Sequence, residues 1–78
     1  MSTDKTHRVA IETRNGGDPF RTVPTSQEAA LRIMEYLDMA AEGSARRVTF
    51  YIPANGDTQR RIHLHVDYLG AWWVEPVA

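Results

Sequence analysis

His63, His65 and Asp67 share one parity of a short run with Arg61, and they are the side chains here best suited to moving a proton or holding a metal. Arg60, Ile62, Leu64, Val66 and Tyr68 alternate with them. Successive strand side chains point to opposite faces, so residues 60–68 read as a strand with an apolar face and a polar, histidine-bearing face. Neighbours on one face stand ~6.5 Å apart, close enough for two imidazoles to share a metal if a third ligand arrives from an adjacent strand. His7 is the remaining histidine, and no closed ligand set is visible. The expectation is no metal and no cofactor.

Two histidines beside an arginine are also the parts of a metal-independent ribonuclease, one imidazole taking a proton and the other giving one. Such chemistry needs a cleft and groups that hold phosphate, whereas a strand face is flat. The run Asn15-Gly16-Gly17-Asp18 has no Gly-Lys-Ser/Thr and no helix right after it, so it reads as a turn rather than a phosphate loop. There is no cysteine, and Ser2, Ser26 and Ser44 fall in tail, cap and loop contexts. The chain therefore reads as non-enzymatic, with a small His-based or metal-dependent nuclease as an alternative.

Recognition is the stronger signal. Trp72 and Trp73 are adjacent, so in a strand they face opposite ways and a one-sided core covers one of them. The other is expected on the open face with Tyr51 and the histidines. Trp, Tyr and Arg dominate protein interfaces. The expected partner-binding set is thus Tyr51, Arg61, His63, His65, Trp72 and Trp73. The rival set is acidic: Glu28, Glu35 and Glu42 recur every seventh residue, with Asp38 at the border. Arg46-Arg47 and Arg60-Arg61 could join Tyr51 and the tryptophans in a small stacking surface for single-stranded nucleic acid. A net charge of -1 lacks the phosphate-neutralising excess of a dedicated nucleic-acid binder, so a protein partner is expected instead.

These residues need elements to position them. His7, Val9, Ile11 and Thr13 alternate with Arg8, Ala10, Glu12 and Arg14, a half-buried first strand. Residues 20–23 make a short second strand, at an edge because Pro19 and Pro24 flank it. A helix should run from Ser26 to about Glu42. Thr25 caps it with Glu28 reaching back, Ser26 is the other cap, and Gly43 is the stop. Ala30, Ile33, Met34, Leu37, Ala40 and Ala41 form its apolar stripe. Residues 48–52 alternate as a third strand, and Asn55-Gly56 turns the chain into the fourth, 60–68. Leu69-Gly70-Ala71 reads as a tight turn before a fifth strand at 72–76, or else one long strand is kinked at Gly70. The fold class is α+β, two layers, one helix on a four- or five-stranded mainly antiparallel sheet. The inner face would hold Val9, Ile11, Phe50, Ile52, Ile62, Leu64, Val66 and Tyr68.

Seventy-eight residues make one small domain with a thin core, and residues 1–6 are expected to fray. The lack of cysteine suits a reducing cytoplasm. No signal peptide or long apolar run is visible, so the expected location is cytoplasmic, with no membrane. A thin core and a free strand edge also favour a homodimer.

In size, absence of cysteine, absence of a catalytic motif and one helix on a small antiparallel sheet, the whole chain resembles the small anti-CRISPR proteins of phages. That resemblance implies binding to a host CRISPR nucleoprotein complex and a block on its recognition of target DNA. It assigns no individual residue. The turn-rich strands 48–68 after an acidic helix also resemble small immunity proteins and antitoxins, which implies a toxin as the alternative partner.

Overall fold

The computed structural model describes residues 5–77. In chain order it contains β1 (His7–Thr13), β2 (Phe20–Arg21), α1 (Gln27–Met39), β3 (Arg47–Pro53), β4 (Gln59–His65) and β5 (Leu69–Pro76). Every pairing is antiparallel. The α+β class and the strand-strand-helix-strand-strand-strand order match the sequence reading. The strands are divided, however, into a β2-β1-β5 sheet and a β3-β4 ribbon. β2 is two residues long and lies between Pro19 and Pro24, so no continuous ladder can form from it to β3. One backbone bond ties the sheets instead, Val23 N–H donating to Tyr51 O at 3.0 Å, while Val66 N–H donating to Arg46 O at 2.9 Å extends the ribbon by one rung.

The helix packs over both sheets. Ala30, Leu37 and Ala40 are buried against Val9, Ile11, Val48, Phe50 and Leu69. Ile33, Ile52, Ile62, Leu64, Val66, Trp72 and Val74 pack around that centre, partly buried. Ala41 lies outside the stripe and is exposed, because the helix widens into a π turn over Ala40–Ser44. Gly43, with φ at +114°, ends it; only glycine takes that backbone cheaply.

The helix cap is Ser26, whose Oγ accepts from Ala29 N–H at 3.1 Å. Thr25 does not cap. Its backbone bonds both ways with His7, at 2.7 and 2.9 Å, which holds it in the strand layer. Glu28 accordingly does not reach back but lies 3.7 Å from Arg32. Of the expected frayed segment, residues 1–4 lie outside the described residues. Thr6 is tied down, since its carbonyl accepts from Val77 N–H at 2.8 Å.

The fourth strand is shorter than its alternation suggests. Val66–Tyr68 form one 3-10 turn, capped by the His65 side chain, so Tyr68 is exposed rather than in the core. β5 then starts at Leu69, and Leu69-Gly70-Ala71 is strand instead of turn. Register shifts at Glu12/Thr13, where β5 carries one extra residue, Gly70, as a bulge against β1. A Cβ on Gly70 would meet Glu12 O at 3.0 Å, Thr13 C at 3.1 Å and Arg14 N at 3.2 Å, all backbone atoms that cannot swing away. Gly70→Ala should therefore cost about 1–2 kcal/mol net of the gain from stiffening the unfolded chain. That corresponds to a melting temperature roughly 5–10 °C lower. An unchanged or raised melting temperature would show that the bulge yields freely.

Candidate functional site

The polar face of the ribbon is built by cross-strand register. Arg47 stands opposite His65, Thr49 opposite His63 and Tyr51 opposite Arg61. Their alternates, Val48, Phe50, Leu64 and Ile62, turn toward the helix and anchor the ribbon on the core. The outer face thus gathers Tyr51, Arg61, His63 and His65 of the expected set, all exposed, and adds Arg47, which that set did not contain. Thr49 Oγ1 lies 3.0 Å from His63 Nδ1. His65 Nδ1 accepts Asp67 N–H at 3.2 Å. That nitrogen therefore cannot also donate to Asp67 Oδ2, 3.5 Å away, and the contact is an acceptor's turn rather than an ion pair in this tautomer. Each imidazole is committed separately. Among the described residues no three His, Cys, Asp or Glu side chains gather as a metal site.

The backbone of the ribbon is directional. Thr49 N–H donates to Tyr36 Oη at 3.0 Å and Tyr51 O accepts from Val23, so both point away from β4. Antiparallel pairs alternate between bonded and non-bonded, and the partners of Thr49 and Tyr51 are His63 and Arg61. The N–H and C=O groups of Arg61, His63 and His65 therefore face the far edge of β4, where no strand pairs among the described residues.

The tryptophans separate as their adjacency requires, though not onto one patch. Trp72 is on the inner side, and its indole N–H donates to Asp38 Oδ1 at 2.7 Å. Asp38 is thus engaged by the core's edge rather than free with Glu28, Glu35 and Glu42, which are exposed on the helix. Trp73 faces outward, but on β5, opposite Ala10 of β1 and not beside Tyr51. There it joins a cluster missing from the sequence reading. Glu75 accepts from Arg8 Nε at 2.7 Å, Trp73 Nε1 at 3.0 Å and Arg21 Nε at 3.3 Å. Ala10, set in register against Arg21 and Trp73, is fully buried beneath this cover. The one available signal was opposite charge on Arg8 and Glu75, and it becomes legible only with the β1–β5 register.

The Arg8 hydrogen bond, chiefly, holds the Glu75 carboxyl below the usual glutamate range; burial opposes it more than either Trp73 or Arg21 singly supports it, and those two hydrogen bonds add to the lowering. A lowered folded pKa gives stability that is full above the unfolded value of ~4.3 and is lost as pH falls through the folded value. The wild type should melt above Glu75→Gln at about pH 7, and the gap should shrink with acid below pH ~4. A gap that is constant or widens toward acid would show that the carboxylate is not the source.

A cavity of about 400 Å³ opens at the seam where β2 and β3 fail to zip, between Val23, Ile33, Tyr36 and Tyr51, with Lys5 and Gln59 lining it too. None of its lining residues is a histidine or a carboxylate. This cavity and the histidines of the ribbon are therefore in different places. No family model, curated protein or solved structure matches this chain. No helix among the described residues is long and apolar enough to cross a membrane.

Proposed function

We propose that this chain is a non-enzymatic protein-binding module whose working surface is the outer face of the β3–β4 ribbon. The observation that carries the reading is the segregation of charge and aromatic area. Arg47, Arg61, His63, His65 and exposed Tyr51 share one ribbon face, while Glu28, Glu35 and Glu42 lie on the helix. A face meant only for water has no use for an exposed tyrosine among arginines, the residue types that anchor interfaces. Its particular form is an inhibitor of a host CRISPR nucleoprotein complex, acting in the host cytoplasm and blocking target DNA recognition. Separate basic and acidic faces let one small chain meet both protein surface and nucleic-acid-binding groove in such a complex. A homodimer belongs to the same reading through the outer edge of β5, which pairs no strand among the described residues.

The test is capture from a host extract with the tagged chain, followed by mass spectrometry and nucleic-acid staining of what is retained. A CRISPR complex retained by the wild type and lost from Tyr51→Ala/His63→Ala supports the proposal. Retention of a lone toxin instead makes the chain an antitoxin or immunity protein. RNA cleavage that disappears in His63→Ala makes it a nuclease.

A further inference from the structure

We propose that the open edge of β4 is a docking strand for an extended acidic segment of a protein partner, which adds to the β3–β4 ribbon as its third strand. The proposal rests on the reading of the ribbon as the binding surface and specifies how the partner is held there.

The edge is complete, and no segment covers it among the described residues. β4 has seven residues in unbroken register with β3, with no proline, glycine or bulge among them. Natural proteins blunt such an edge with prolines, bulges, covering segments or charges, and of these β4 carries only the charges of Arg60 and Arg61. The backbone groups of Arg61, His63 and His65 all face outward, a row of donors and acceptors at strand spacing. The outer edge of β5 is a poorer template, because its alternation places Pro76, which has no N–H, on that side.

Charge selects the occupant. Arg60, Arg61, His63 and His65 lie within the strand and no carboxylate does. In the central antiparallel registers a second copy of β4 would set Arg61 opposite Arg61, where like charges are unfavourable, or opposite His63 or His65, which offer it no carboxylate. An incoming strand with carboxylates at alternate positions meets Arg61, His63 and His65 on the outer face. Its intervening apolar side chains extend the half-buried row of Ile62 and Leu64 on the other face. Main-chain bonds then supply affinity and the alternation supplies specificity.

The probe is a blocked octapeptide alternating glutamate and valine, titrated into the full chain by NMR with hydrogen exchange. The control peptide has lysine in place of glutamate. The acidic peptide should bind saturably and slow exchange of the Arg61, His63 and His65 amides by about tenfold or more. The lysine peptide should do neither. His63→Pro removes one outward N–H while leaving the bonds to β3, which come from its neighbours, and should weaken the peptide about tenfold. Should that variant not fold, Arg61→Glu keeps the test, because it should weaken the acidic peptide and admit the lysine one. No binding of the acidic peptide overturns the proposal. So does a single-stranded DNA oligomer that shifts these residues when the peptide does not. Binding that shifts Tyr51 and Arg61 side chains but leaves the outward amides exchanging as before overturns edge addition alone, and the ribbon-face reading survives it.

Discussion

Phe50→Ala is expected to remove a large share of the protein's stability. Phe50 is buried on the inner side of β3, and its ring meets Phe20 edge-on with centroids 5.6 Å apart. That contact spans the seam between the two sheets, which few backbone bonds cross. Truncating a buried phenylalanine costs about 3–5 kcal/mol, transfer and cavity together. At ~0.05–0.15 kcal/mol per residue, a chain of this length has a total of roughly 4–12 kcal/mol to lose. Tyr51→Ala, one residue along but on the outer face and 46% exposed, should cost less than about 1 kcal/mol. Urea titration of the two variants gives the comparison. If Phe50→Ala melts within about 3 °C of the wild type, the seam is not pinned by this ring. Hydrogen exchange adds a directional check: in a partly destabilised variant such as Phe50→Leu, the β3–β4 amides should lose protection before those of β1 and β5.

The seam also marks the limit of what the sequence discloses. Alternation located β1, β3 and most of β4, and the Asn55-Gly56 turn, the helix and its Gly43 stop were legible because each is set by local chemistry. The break at Val66 was not, because residues 66–68 keep the alternating pattern while turning. What turns them is the His65 side chain accepting Asp67 N–H and the need to bring Leu69 beside Thr13. Thr25 and Ser26 are equally good caps on paper, and the choice was made by a distant strand, β1, claiming the Thr25 backbone. The ribbon part of the candidate site was read from one strand and its hairpin partner. Trp73 was grouped with it wrongly, since its neighbours are fixed by pairing between residues far apart in sequence, β1 with β5. The Arg8–Glu75–Arg21 cluster is invisible for the same reason.

The ribbon face and the acidic helix make opposite predictions for the same captured partner. Tyr51→Ala/His63→Ala should reduce its affinity by about thirtyfold or more, since truncating an interface tyrosine hot spot costs ~2 kcal/mol and 1.4 kcal/mol is a factor of ten. Both residues are exposed on the outer side of the ribbon, so the loss should come without unfolding. Glu28→Gln/Glu35→Gln should leave affinity within about fivefold and mainly flatten its dependence on salt, as rim charges steer encounter more than they hold a complex. Glu28 already has Arg32 at 3.7 Å, and Asp38 already accepts the Trp72 indole, so the helix offers a less concerted acidic ridge than its spacing suggests. A partner with a basic nucleic-acid groove reverses this order, because it could take Glu28, Glu35 and Glu42 in place of phosphates. Affinity measured for both double variants at about 50 and 200 mM salt separates the cases. If the carboxylate variant loses the partner while the Tyr51/His63 variant keeps it, the helix is the binding surface, and the arginines of the ribbon serve only to keep the β4 edge from pairing with itself.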